Sequence, residues 1–252
     1  PAVSVEVTVA NLVLGRAYIV FILLLHPVDH LVGQGGGAFV RDVLVLLHPH
    51  FDHGPLKVER VLQDLLEPGL NRLTHLLPDN HELWAVMDAT RHLVEPLSGL
   101  VLPRVFEHGD PSHPNLVVQG RGDRARAGLL DWELARQDGV HGHDLAQFLA
   151  FRAFARSKAH GIPDEAVTFR AQFGSAQAPG RLDFLAGLPA TLPDEAVRPL
   201  FVLAWARCAL RVLDRIGYAT PDRRVDPSEA LALVAGHRNA ALWRASWTAR
   251  GR

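Results

Sequence analysis

Phe106-Glu107-His108-Gly109-Asp110-Pro111-Ser112-His113-Pro114-Asn115 is the stretch on which the reading of this chain turns. A short apolar run, Val101 to Phe106, leads into it. Pro111 and Pro114 exclude a helix through it, so Asp110 and Asn115 stand on one stiff loop. Beyond it, the apolar runs Leu116 to Val118 and Gly128 to Leu130 flank a turn-rich segment, Gln119-Gly120-Arg121-Gly122-Asp123, and predict a hairpin. A hairpin brings its open ends together, which returns Asp131 to the side of Asn115. Two carboxylates and an amide oxygen around one small volume suit a hard divalent cation such as Mg²⁺. A carboxylate in such a place can also accept the proton of a hydroxyl group. Each residue alone reads as a turn former, and Asp123 in the hairpin turn is one. The ordered spacing of Asp110, Asn115 and Asp131 is what points to chemistry.

The order His108-Gly109-Asp110…Asn115, hairpin, Leu130-Asp131-Trp132-Glu133, Gly142-His143-Asp144-Leu145-Ala146 resembles the aminoglycoside phosphotransferase and choline kinase group of protein kinase-like enzymes. The resemblance covers Phe106 to Ala150. It implies an α+β kinase-like fold with a mainly helical C-terminal lobe. It further implies transfer of the γ-phosphoryl of ATP or GTP, with Mg²⁺, to a hydroxyl of a small molecule of the aminoglycoside or amino-alcohol class. By position Asp110 resembles the catalytic base, and His108 the residue that braces the catalytic loop. Asn115 and Asp131 resemble the metal and nucleotide ligands, and Asp144 a carboxylate that supports the loop from the following helix. Glu133 reads either as a partner behind Asp131 or as a solvated carboxylate.

Upstream, the chain is expected to form an atypical nucleotide-side region over residues 1–98, before a catalytic lobe over 99–252. Alternation in Val3 to Val9 predicts a strand, Ala17 to Leu25 a buried strand, and Val40 to Leu47 another. Gly33 to Gly37 is a candidate phosphate loop. Lys57 is the one lysine available for the nucleotide, at the start of a helical pattern and too close in sequence to Asp110 for a full N-terminal lobe. A reduced β-containing lobe is therefore expected. A second motif, His48-Pro49-His50-Phe51-Asp52-His53, is similar to the zinc-binding run of the metallo-β-lactamase fold. It makes a zinc hydrolase the alternative reading, with later ligands drawn from His108 or His113, Asp131, and His141 or His160. A kinase-like module without turnover is the third.

The rest predicts helices. The run Val58 to Leu66 is expected to stop at Pro68-Gly69. Asp79 is expected to cap a helix through Leu83, Met87 and Val94. Further helices are expected over Asp144 to Lys158, from Pro163, from Pro193-Asp194-Glu195 through Ile216, and from Pro227 continuously to Trp243. The chain has 252 residues, 48% hydrophobic and 21% charged, with net charge -1. That balance argues against a nucleic-acid surface or a basic membrane patch. No apolar run reaches the roughly 20 residues needed to span a bilayer. The single cysteine, Cys208, forbids an internal disulfide and is expected to be a buried thiol in a cytoplasmic protein.

Overall fold

The computed structural model describes residues 6–9, 21–24, 55–57, 62–98, 100–103, 105–112, 115–119, 126–190, 192–217 and 225–248. The expected strand Val40 to Leu47, the glycine loop Gly33 to Gly37 and the His48 to His53 motif lie outside these residues. What is described is mixed α+β and mostly helical. The strands are β1 (Glu6–Val9), β2 (Phe21–Leu24), β3 (Pro55–Lys57), β4 (Val101–Pro103), β5 (Val105–Glu107), β6 (Leu116–Gln119), β7 (Arg126–Leu129) and β8 (Arg136–Gly139). They pair as antiparallel ladders β1-β2, β3-β4, β5-β8 and β6-β7. The helices are α1 (Glu67–Thr74), α2 (Leu83–Val94), α3 (His143–Ser157), α4 (Gly161–Phe173), α5 (Pro179–Ala186), α6 (Asp194–Arg215), α7 (Pro227–Gly236) and α8 (Arg238–Thr248).

Helix α6 is the axis of the core. Sixteen of its 22 residues are buried, as befits a helix that is apolar on nearly every side. Helices α1, α2, α3, α7 and α8 all pack on it. An aromatic cluster joins it to its neighbours: Phe169 meets Trp205 edge-on at 5.2 Å, and Phe173 and Phe201 lie 5.1 Å apart. Such pairs add about 0.5–1.5 kcal/mol each beyond their buried area. Trp243 is fully buried, and its indole N–H donates to Thr90 Oγ1 at 2.9 Å, tying α8 to α2. Helices α1 and α2 thus share one core with the helices after residue 99, across the expected boundary at 98/99.

Four local expectations are corrected. The helical run does not stop at Pro68-Gly69: a π-turn, Leu62–Leu66, passes directly into α1. Pro68 sits in the first turn of α1, where no N–H is needed, and Gly69 is selected by packing. A Cβ on Gly69 would lie 2.9 Å from Cβ of Leu210 on α6. Asp79 does not cap α2; the Nδ1 of His81 accepts from the Leu83 amide at 3.2 Å instead. The final helix is not continuous. His237 is extended, and its Nδ1 accepts from the Asn239 amide at 3.1 Å, so α8 begins afresh. Lys57 lies on strand β3, paired with Val101, and not at the start of a helix.

The Gly69 contact gives a direct test. Glycine to alanine within an exposed helix usually gains up to about 1 kcal/mol, but overpacking costs about 1–3 kcal/mol. Gly69→Val is expected to lower unfolding free energy in urea by about 1–3 kcal/mol. Gly236→Ala, where a Cβ meets nothing within 4 Å, should leave it unchanged or slightly raised.

Candidate active site

The site grows from the end of β5. Glu107, 1% exposed, takes a bidentate fork from Arg207, Nη1 to Oε2 at 2.8 Å and Nη2 to Oε1 at 2.7 Å. Arg211 adds Nη2 to Oε1 at 2.8 Å, and the Val140 amide donates to Oε2 at 3.2 Å. Burial opposes a charge here, yet the two guanidinium groups hold the Glu107 carboxyl well below its usual range.

The next residues form the loop itself. Both oxygens of Asp144, in the first turn of α3, accept loop amides: His108 N–H at 2.7 Å and Gly109 N–H at 2.9 Å. The Gly109 carbonyl accepts in turn from Gln147 Nε2 at 2.9 Å and Arg211 Nη1 at 2.6 Å. Gly109 has φ of 91°, and a Cβ there would lie 2.6 Å from the Leu134 carbonyl oxygen, so only glycine fits. Burial, with the Glu107 charge behind it, pushes the Asp144 carboxyl up to about 7. The two amides and Arg211 pull the other way.

His108 couples this loop to the hairpin. Its Nδ1 accepts the Asp110 amide at 3.2 Å, so the proton lies on Nε2, which donates to the Leu130 carbonyl at 2.8 Å. A neutral ring suits both bonds, and burial lowers its pKa. Trp132 stacks edge-on at 4.5 Å between ring centres. The expected hairpin is present as β6-β7, with Leu116 opposite Leu129. It closes as anticipated: the Leu130 amide donates to the Asn115 carbonyl at 2.8 Å. Asn115 Nδ2 donates to the Asp110 carbonyl at 2.8 Å, which turns its amide oxygen the opposite way.

Asp110, Asn115 and Asp131 are therefore linked through two hydrogen bonds and one peptide step at the open end of the hairpin. Asp110 is partly exposed and carries a contact from Arg215 Nη2 at 3.3 Å. Asp131 is exposed and left-handed, φ 61° and ψ 68°. This conformation is uncommon outside glycine and concentrates at functional sites. Exposed Glu133 follows in a 3₁₀ turn, Trp132–Leu134. As donors, the Asn115 oxygen and the free-facing Asp131 carboxylate suit a hard cation such as Mg²⁺. Among the described residues, no three His, Cys, Asp or Glu side chains are grouped to hold a metal ion. His113 and Asp123 lie outside the described residues. His141 is buried before α3, and His160 stands at the N-cap position of α4 without a side-chain cap bond. Cys208 is buried as expected, its thiol pushed up to about 12 by burial.

The sequence reading missed Glu107, Gln147 and a column of arginines. Arg207, Arg211 and Arg215 recur every fourth residue along α6, on one helical face. That spacing inside an apolar run was the available signal. Comparison with protein-family models, curated proteins and solved structures finds no match to this chain. No helix among the described residues is long and apolar enough to cross a membrane.

Two expectations follow for this network. Arg207→Met leaves the Glu107 charge buried without its fork and should cost about 3–5 kcal/mol in urea unfolding. His143 supplies a pH test. Its Nε2 receives both Gln147 Nε2 at 3.0 Å and Arg211 Nη1 at 3.1 Å, so the ring is neutral. Burial holds its pKa well below 6.5. Below pH 6.5 the unfolded chain binds a proton that native His143 refuses, so this contribution to stability is complete above 6.5 and lost as pH falls. The raised Asp144 acts oppositely, since its native form takes up a proton first. Comparing His143→Gln with the parent isolates the histidine: between pH 7.5 and 5.5 the variant should lose less unfolding free energy.

Proposed function

We propose that this protein is a small-molecule phosphotransferase, moving the γ-phosphoryl of ATP or GTP to a hydroxyl. The observation that carries the reading is the double clamp of Asp144 on the His108 and Gly109 amides. A carboxylate at the start of a following helix, gripping the loop that bears Asp110, is the arrangement that the sequence resemblance implies for Asp144. The closure of Asn115 against Leu130 supports it further, because it carries Asp131 to the same end of the hairpin.

In this reading Asp110 accepts the hydrogen bond of the acceptor hydroxyl and takes its proton. The hydroxyl oxygen forms a bond to the γ-phosphorus, the bond to the bridging oxygen breaks, and the nucleoside diphosphate leaves. His108 keeps Asp110 in register by holding its amide, while Gly109 is held on both faces of its peptide. Asn115 and Asp131 would hold Mg²⁺, which when bound neutralises charge on the phosphates. A kinase-like arrangement with a reduced nucleotide side fits this reading, in which Lys57 would contact the nucleotide. A buried thiol at Cys208 agrees with the cytoplasm, where ATP is abundant. The His48 to His53 motif of the zinc hydrolase reading lies outside the described residues.

Thermal unfolding with added ligand tests the reading. Mg²⁺-ATP at a hundred times its dissociation constant should stabilise the parent by about 2.7 kcal/mol. Asp131→Ala should abolish that stabilisation. Asp110→Ala should retain it and lower kcat by about 10²–10⁴-fold on a hydroxyl acceptor. Full turnover in Asp110→Ala rejects the base assignment. Stabilisation by Zn²⁺ and not by Mg²⁺-ATP would support the hydrolase instead, and no response to either would support a module without turnover.

A further inference from the structure

Beside Asp110 lies a cleft of about 70 Å³ whose charged lining is unbalanced. Arg211, Arg215 and Arg238 face it, with His237 and Asn239 on its wall, and Asp110 is its one carboxylate among the described residues. Arg211 is committed to Glu107 and the Gly109 carbonyl. The other two have donors to spare. Arg215 is 49% exposed, and its one ion pair among the described residues is with Asp110 Oδ2, at 3.3 Å. The Arg238 guanidinium carbon lies over Phe151, 4.6 Å from the ring centre, and Nη1 reaches Glu165 only at 3.5 Å. Its Nε is buried without a hydrogen-bond partner. Two planar guanidinium groups with open donor edges, on α6 and at the start of α8, match the geometry of a carboxylate. His237 shows that their field enters the cleft: burial lowers its pKa, and the charges of Arg238 and Arg215 lower it further.

An amine-bearing acceptor would need the reverse lining. An ammonium placed here meets one carboxylate, already paired with Arg215, and three guanidinium groups.

We infer that the acceptor is a small hydroxy acid, its carboxylate held by Arg215 and Arg238 and its hydroxyl directed to Asp110. This inference rests on the phosphotransferase reading for its chemistry, but its anion site stands on the cleft alone. On binding, the substrate carboxylate replaces Asp110 as the partner of Arg215, which releases Asp110 to receive the hydroxyl proton. The hydroxyl oxygen then bonds to the γ-phosphorus of Mg²⁺-ATP, the bond to the β-phosphate oxygen breaks, and ADP and a phosphorylated acid result. The aminoglycoside and amino-alcohol acceptors implied by the sequence resemblance are thereby set aside in favour of an acid.

Binding and turnover are measured separately so that the two readings fail separately. Without nucleotide, at constant ionic strength, glycerate should raise the melting temperature of the parent and ethanolamine should not. Arg215→Gln and Arg238→Gln should each abolish the glycerate shift, with Arg→Lys at either position restoring part of it. Ligand-free melting of each variant, set against the parent, separates lost binding from lost folding. With Mg²⁺-ATP present, the same glutamine variants should raise KM for the hydroxy-acid acceptor about tenfold or more, leaving KM for ATP within about twofold. Ethanolamine stabilising more than glycerate, or glycerate acting equally on the parent and both glutamine variants, overturns the inference whatever the Mg²⁺-ATP result. Glycerate binding that depends on both arginines supports the anion site even where Mg²⁺-ATP has no effect, and in that case only the phosphotransfer reading falls.

Discussion

Two buried carboxylates, Glu107 and Asp144, organise the loop that bears Asp110. They lie close enough for the charge of Glu107 to raise Asp144, and neither is stable in a dry core without compensation. Arg207 and Arg211 supply the balancing charge, and backbone amides of His108, Gly109 and Val140 supply hydrogen bonds. The consequence is mechanical. Glu107 fixes the end of β5 to the central helix α6, and Asp144 fixes the next two residues to the start of α3. Asp110 follows directly on the two residues whose amides Asp144 holds, so these charges help determine where Asp110 sits. Hydrophobic packing sets the position of α6, and the ion pairs transmit that position to the loop.

The hairpin was legible because turn residues and apolar runs alternate there with little ambiguity. Asp131 opposite Asn115 followed from topology alone. Asp144 was legible only through the resemblance, since nothing in its local sequence announces that it reaches back to His108 and Gly109. Helix boundaries failed for a physical reason common to two sites. His81 and His237 each use Nδ1 to accept the amide two residues ahead, a role usually given to Ser, Thr, Asp or Asn. His108 does the same toward Asp110 within the loop. A reading that expects oxygen caps does not see imidazole ones. Gly69 failed differently. It was read as a breaker from its backbone preference, whereas its place is decided by Leu210, a residue far along the chain.

The arginine column shows the same limit from the other side. Arg207, Arg211 and Arg215 look alike in sequence, and only burial separates their roles. Their side chains are 3%, 17% and 49% exposed in that order. The first neutralises the core, the second bridges core and loop, and the third faces the cleft. Charge composition, with net -1 overall, conceals this because the positive groups are concentrated on one helical face and offset elsewhere.

That gradient along α6 has a consequence for how such a protein can change. Successive turns rise about 5.4 Å, so the column acts as a ruler from interior to surface. The innermost arginine is bound to folding, and its loss is felt by the whole domain. The outermost has few native partners and can be exchanged at small structural cost. The lining of the cleft can therefore change at Arg215 while the clamp that positions Asp110 stays as it is.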